Sequence, residues 1–504
     1  MVRAGARGPG PGERDATRLV RFGVTEAVRG SGRGSTLVRD ALVTIATRFG
    51  LAVLIFATDI VLARLLGPAA KGRFTLVLLF SQLAALVVGW GMDSAIGIVA
   101  GRSRDDARAG FANALVWSAV VGGFTVVLSG LLYGLPTDVR PRGPLAVVVP
   151  NLSAAQFTYA ALAIPGEMFF SIGLIALLGR QRVAAYSAIR ILRRLLVLVL
   201  VVGVAAIARL SLDVALIVNL VTLIVTAIAI AGVAIRDGTA AVRPSPAVLS
   251  EELRFGNRAI LGSIAERLQF RADSFIINAV RSVRETGIYS VTSGLAETLW
   301  YIPNALGTVM FSRAVDPAAD AGRIAAVLTR TTIAVALVTS IPAFVLGPRI
   351  VRIVYGSAFA DAGVALRLIL PGIVAYSVVA VLSRYIVGRG RPGTGTLILL
   401  SGLAINVIAN LLLVPRFGIN GAAASSSISY GLTAIMTLVV FRRLSGRGVT
   451  ETLVIRASDL RVLRGLAGAV RARLSGRRGG PVALRGGETA AQIVLTEHEP
   501  GEEP

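Results

Sequence analysis

ALVTIATRFGLAVLIFATDIVL (residues 41–62) and GNRAILGSIAERLQFRADSFIINAV (residues 256–280) open the two halves of the chain. Each is long enough to cross a bilayer, yet each carries charge: Arg48 and Asp59 in the first, and Glu266, Arg267, Arg271 and Asp273 in the second. A charge at bilayer depth costs at least ~2.5 kcal/mol even on lenient insertion scales, so these side chains are expected to face protein or a watery cavity. The pattern predicts a transporter with a charged central site.

Composition points the same way. Hydrophobic residues make up 54% of the chain and charged residues 16%, too much apolar surface for soluble cores to hide, so lipid must be the solvent. There is no cysteine, which removes disulfides and thiolate metal sites, and the single histidine, His498, sits in an acidic tail. Neither a metal nor another cofactor is expected. The net charge of +24 is almost all arginine, Lys71 being the single lysine. Among so many apolar windows it reads as membrane orientation, and nucleic acid is not an expected partner.

Windows of about 20 apolar residues recur along the chain. Six fall in the first half, near 41–62, 74–100, 111–133, 154–179, 191–208 and 212–235, and six in the second, near 256–280, 287–312, 324–347, 366–387, 394–414 and 419–441. The fourth is expected to begin after Pro150 and to kink near Pro165-Gly166. With both termini cytoplasmic, the inward side collects about three times as many Lys and Arg as the outward side, the orientation that positive-inside counting favours. The strongest contribution is the connection with Arg180, Arg182, Arg190, Arg193 and Arg194.

The predicted fold is all-α and polytopic, with about twelve membrane helices. Its domains are a disordered basic tail (1–37), a first set of six spans (38–235), a cytoplasmic linker (236–254), a second set of six (255–442) and a cytoplasmic tail (443–504). In that tail Leu460, Leu463, Ala467, Val470 and Leu474 share a helical face suited to a membrane surface, before an acidic end. The leader lacks the apolar core of a signal peptide, so the first span is expected to direct insertion. The halves begin alike, and aligning Gly72 with Gly287 puts Asp59 opposite Ser274, one position from Asp273. Such parallel repeats place a substrate site between two bundles.

Carboxylates at Asp59, Asp93, Glu167, Glu266, Asp273 and Glu297 either couple transport to an ion or pair with arginines; the residues alone leave both open. Gly388-Arg389-Gly390-Arg391-Pro392-Gly393 matches a dinucleotide fingerprint literally, but it joins two spans and follows no strand. The chain holds no GxxxxGK[ST] phosphate loop.

Further runs carry a resemblance: Leu65-Leu66-Gly67-Pro68 with Gly72, Glu285-Thr286-Gly287-Ile288-Tyr289, Tyr355-Gly356-Ser357-Ala358-Phe359, and Asn406 and Asn410 before Val414-Pro415-Arg416-Phe417-Gly418-Ile419-Asn420-Gly421. Over residues 40–442 the chain resembles polysaccharide or lipid-linked oligosaccharide flippases of the multidrug/oligosaccharidyl-lipid/polysaccharide exporter superfamily. The resemblance implies two six-helix bundles in a V around a central cavity. It also implies alternating access, no catalytic residues and, as substrate, undecaprenyl-diphosphate-linked oligosaccharide in the bacterial cytoplasmic membrane. Membrane lipids, a polysaccharide polymerase and glycosyltransferases are the implied partners. It places diphosphate-binding arginines in the cavity, a role that Arg48, Arg267 and Arg271 fit, unless they serve to neutralise the buried carboxylates. The rival readings are a lipid II flippase, a multidrug or cation antiporter of the same superfamily, and a membrane-embedded glycosyltransferase.

Overall fold

The computed structural model describes residues 34–134, 143–240, 243–315 and 320–456, with side chains from Gly50 onward except at Ile302, Ala305, Val309 and Ser312. The leader through residue 33, the Arg48 side chain, and the tail from residue 457 with its expected amphipathic helix and His498 lie outside the described residues. The chain divides into two compact units, Met1–Val53 and Leu54–Pro504. Of the first, helical backbone is described from residue 34; all packing below belongs to the second.

With no water in the bilayer core, each backbone polar group must bond within its own segment, and the described residues accordingly form helices and no strands. The first half contributes α1 (Gly34–Val88), α2 (Met92–Arg102), α3 (Arg104–Tyr133), α4 (Pro144–Val148), α5 (Ala154–Gly179), α6 (Val183–Ile207) and α7 (Leu212–Arg236). The second contributes α8 (Pro246–Val280), α9 (Val283–Thr298), α10 (Tyr301–Val315), α11 (Ala321–Tyr355), α12 (Ala362–Gly388), α13 (Pro392–Ser445) and α14 (Val449–Leu453). Seven of them are long and apolar enough to cross a membrane: α1 over Gly50–Val88, α3, α5, α7, α11, α12 and α13. The protein is a polytopic all-α membrane protein.

Two of these helices hold two expected spans each. In α1 the chain turns at Gly67, whose φ of 72° and ψ of 172° suit essentially glycine alone, and Pro68 restarts the helix. In α13 Gly418, with φ 56° and ψ −134°, turns the chain in the same way after Pro415. Below, the far end means the side of these two turns, and the linker end means the side of residues 236–245.

Several expected boundaries are corrected. The window at 74–100 is broken by a turn at Gly89-Trp90-Gly91, where both Trp90 and Gly91 have positive φ, before α2 begins at Met92. The window at 287–312 breaks likewise between Thr298 and Tyr301. Pro165 sits inside α5 without ending it, and the preceding turn is closed by a Ser153/Gln156 capping box. The linker expected at 236–254 is already helical from Pro246, because Ser245 caps α8 and proline suits a first helical turn. Of the arginines expected in a connection, Arg190, Arg193 and Arg194 lie within α6, the last two already inside the window expected at 191–208.

Within each half the helices pack mainly on one another, α5 on α2, α3 and α7, and α12 on α10, α11 and α13. The halves meet along α8. At the linker end its first turns pack on α2 and α3, with Leu249 and Leu253 against a core that includes Met92, Ile96 and Ala114. Gly91 and Gly256 touch there, backbone to backbone. At the far end the Asn278 amide donates to the Pro150 carbonyl at 2.7 Å.

The two glycines that align the halves are themselves in contact. A Cβ on Gly72 would collide with the Val283 carbonyl oxygen, and one on Gly287 with the Pro68 carbonyl oxygen. Pro68 corresponds to Val283 in the same alignment, so the contact is reciprocal, as a local two-fold axis between repeats requires. Backbone fills the space on both sides, so no side-chain rotation relieves a substitution. Gly72→Ala or Gly287→Ala is expected to destabilise the protein by about 1–3 kcal/mol through overpacking. Because both act on one contact, the double substitution should cost clearly less than the sum in detergent thermal melts; full additivity would dissociate the two sites.

Candidate functional site

Near the middle of α5, Glu167 is met by both guanidinium arms of Arg193 from α6, with Nη1 donating to Oε2 at 3.0 Å. The guanidinium also lies over the Phe170 ring, 4.4 Å from its centre. The second half holds a matching fork. Arg271 of α8 donates from Nη1 and Nη2 to the two oxygens of Glu297 in α9 at 2.6 and 2.8 Å. Such forks neutralise charge that lipid could not solvate.

The other predicted carboxylates divide by partner. Asp59 accepts from Lys71 Nζ at 2.5 Å and from the Tyr355 hydroxyl at 3.1 Å, which ties the far end of α1 to the end of α11. Arg64 adds bonds to the carbonyls of Ile353 and Val354 beside it. Asp93 accepts from the Ser94 backbone N–H at 2.8 Å in the first turn of α2, so it serves a helix start. Glu266 is exposed and has no bonding partner among the described residues.

Asp273 differs from all of these. It is 1% exposed and has no cationic partner among the described residues. The Tyr289 hydroxyl donates to it at 2.6 Å, the Ser426 hydroxyl at 2.5 Å and the Asn410 amide at 2.8 Å. Asn406 sits behind Asn410, and one turn back along α8 Gln269 donates to Thr433 at 3.0 Å. A stripe of buried Ser and Thr along α13 therefore faces a stripe of polar residues on α8, against the surrounding apolar core. No group of three or more His, Cys, Asp or Glu converges on a metal position among the described residues.

Arg194 on α6 and Arg267 on α8 make no hydrogen bond or ion pair among the described residues, as is also true of Arg258 on α8 and Arg384 on α12. Arg194 and Arg267 are exposed, and a guanidinium at bilayer depth favours a polar space over acyl chains. The neighbours of Arg194 identify it. Arg194 and Arg190 lie within electrostatic range of Tyr301 in the second half, and Tyr301 within range of Glu297. The two forks and Arg194 thus surround one region between α6 and α9–α10. A buried cluster of Phe270, Trp300, Tyr376 and Tyr430, with ring centres 4.8 to 5.8 Å apart, packs at its second-half side. Of the predicted arginines, Arg271 is tied to Glu297, Arg267 is unpartnered, and the Arg48 side chain is not described. A polar cleft at the far end, lined by Arg281, Arg284, Glu285 and Asp361, contains none of them.

A family model described as "Polysaccharide biosynthesis protein" matches residues 61–363. The chain belongs to the polysaccharide biosynthesis protein family. A second model, "Lipid II flippase MurJ", matches residues 302–475. Among curated proteins it is similar to the "Probable low-salt glycan biosynthesis flippase Agl15" of Haloferax volcanii, 26% identical over 30% of this chain and 35% of that protein. It is also similar to an uncharacterised membrane protein of Methanocaldococcus jannaschii, 30% identical over 19% of each. The matched regions thus span about a third and a fifth of these relatives' lengths. Among solved structures, "Lipid II flippase MurJ, inward closed conformation" covers 85% of this chain and 93% of its own, with TM-score 0.67 and 13% identity. An inward-facing multidrug resistance MATE family transporter covers 79% and 94%, with TM-score 0.63 and 17% identity. A Pyrococcus furiosus transporter described as having a reversed polarity of its binding pocket covers 81% and 95%, with TM-score 0.59 and 17% identity. These likenesses show the fold, that of the multidrug/oligosaccharidyl-lipid/polysaccharide exporter superfamily.

In this polysaccharide biosynthesis family member, the arginines of the expected connection that prove to be helical are Arg190, Arg193 and Arg194. A signal was present. The uninterrupted apolar run 195–207 is too short for a span of about 20 residues, so the helix had to reach back across the arginines. Arg193→Ala, which leaves Glu167 buried and unpaired, is expected to cost about 3–5 kcal/mol in detergent stability. Glu167→Leu combined with Arg193→Leu should recover most of that loss; a double variant as unstable as the single would show that the fork does not act as a pair.

Proposed function

We propose that this protein is a flippase that carries undecaprenyl-diphosphate-linked oligosaccharide from the inner to the outer leaflet of a bacterial cytoplasmic membrane by alternating access, with both termini cytoplasmic. The observation that carries this reading is an unpartnered arginine inside a helix of each half, Arg194 and Arg267. A guanidinium is permanently charged and offers phosphate oxygens a planar fork. One arginine from each half gives a diphosphate a ligand on both sides of the space, so the cargo can bridge halves that must move together. The Arg271 fork to Glu297 keeps the second-half surface from becoming excessively basic. The prenyl chain stays in lipid while the sugar crosses the polar space, and no covalent chemistry is required. Polymerase and glycosyltransferases are the partners that such a substrate demands.

Asp273 is the coupling carboxylate in this reading, because Asp59, Glu167 and Glu297 are already neutralised by cations. A lipid II flippase is the second reading. It shares the lipid-diphosphate chemistry, and the MurJ family match over the second half favours it. A cation antiporter is disfavoured by like-charge repulsion from the unpartnered arginines.

In proteoliposomes with fluorescent lipid-diphosphate-oligosaccharide, Arg194→Ala and Arg267→Ala are each expected to lower flipping at least tenfold at unchanged thermal stability, with Lys recovering part of the rate; wild-type rates in both would remove the site. Substituting lipid II in the same vesicles separates the two substrate readings. Asp273→Asn is expected to leave any residual flipping insensitive to imposed proton or sodium gradients. A gradient response equal to wild type would move coupling elsewhere.

A further inference from the structure

Glu252 lies in the second turn of α8, before the apolar span, and is fully buried, at 0% exposure. It sits where the second half's first helix enters the first half. Its Oε2 accepts only from the Asn113 amide, at 3.2 Å, and its Oε1 has no hydrogen-bond partner. Asn113 belongs to α3 and also holds the start of α8, bonding the Ser245 N–H at 3.0 Å and the Ser245 carbonyl at 3.3 Å. Gly110 of α3 faces Glu252 Oε1 so closely that an added Cβ would lie 3.1 Å away. Leu249 and Leu253, on either side along α8, are packed into the first-half core.

The charged groups around it do not compensate. On its own helix Glu251 points to α2, where Arg102 takes it at 2.7 Å, and Arg254 lies near Glu251. From α2, Arg102 is spent on Glu251, with Asp106 of α3 in its range. The residues of α3 that meet Glu252 are Asn113 and Gly110, neither charged. A carboxylate in such a pocket prefers its neutral form. Burial pushes the Glu252 carboxyl up to about 7, the Asn113 amide lowers it in part, and Glu251 adds to the rise.

We propose that Glu252 is a proton-binding latch: protonated, it holds the linker end of α8 against α3, and on ionising it releases that end and opens the transporter toward the linker side. The proposal rests on alternating access. It adds the linker-side gate and the ligand, a proton, that operates it. When the latch opens, Glu252 meets water and returns toward an ordinary carboxylate, so closing takes up a proton. The closed form is then fully favoured below the ordinary glutamate range and loses that advantage as pH rises to about 7. Arg267 lies fifteen residues further along α8, about 22 Å of helix, which makes Glu252 a gate rather than a cargo contact.

The chain has no cysteine, so labels can be placed at will, and its one histidine, His498, lies far along the tail. Nitroxides are placed on Asp105→Cys and Phe255→Cys, both exposed in the wild type, and the full-length protein is studied in nanodiscs at pH 5, 6, 7 and 8 by pulsed electron resonance. A short distance is expected to dominate at pH 5, with the long population growing several-fold per pH unit up to about 7 and levelling above it. Glu252→Gln and Glu252→Met, neutral at every pH, are expected to keep the short distance throughout. A wild-type distribution that ignores pH, or a Gln or Met variant that shifts as the wild type does, overturns the latch. The readout needs no substrate, so loss of the arginine site leaves it standing, while pH-silent distances with intact flipping remove the latch alone.

Discussion

Charge that lipid cannot solvate is the constraint around which this protein is arranged. An ionisable group at bilayer depth must be paired, hydrogen-bonded or wet, and each such group described here meets one of those conditions. Glu167 and Glu297 are gripped by arginine forks, Asp59 by Lys71 and Tyr355, and Asp273 by hydroxyls and an amide. Arg194 and Arg267 have no such partners, and the same constraint makes them markers of a water-filled space. The pairing pattern is therefore a map of the polar pathway, drawn by what each charge does not need.

The second organising feature is α8. Its far half is bonded into its own set of helices through Gln269 and Asp273, while its linker half is packed on α2 and α3 of the other set. A helix shared in this way joins any relative movement of the halves to its own register. The reciprocal contact of Gly72 and Gly287 supplies a second junction, where backbone meets backbone and little compliance exists. In the proposed cycle movement concentrates where contacts are polar and reversible, as at Glu252 and Asn113, rather than at the glycine crossing.

The proposed diphosphate cargo and the physics of a lipid-spanning fold place opposite demands on arginine. A guanidinium that is fully paired stabilises the fold and is lost to the cargo, whereas an unpaired one binds the cargo and destabilises the fold unless water reaches it. Arg193 and Arg271 stand on the first side of this division, and Arg194 and Arg267 on the second. Adjacent residues on one helix, Arg193 and Arg194, thus meet different surroundings, one paired and one exposed, because a one-residue step turns the side chain by about 100° around the axis.

By itself the sequence determined the solvent, the helical class and the repeat, because apolar length and the cost of buried charge are local properties that a linear reading can sum. It also marked Gly72 and Gly287 as equivalent, and Asp273, Arg267 and Arg271 as charges within a span. Partner choice was decided only by tertiary structure. Whether Arg271 serves cargo or carboxylate depends on Glu297, which lies 26 residues away on another helix, and the isolation of Asp273 depends on Asn410 and Ser426, more than a hundred residues distant. The buried state of Glu252 was invisible for the same reason: its neighbours read as a polar linker, and only the insertion of α8 between α2 and α3 removes its water. Electrostatics acts through space, so the sequence names the charges while the fold assigns them their partners.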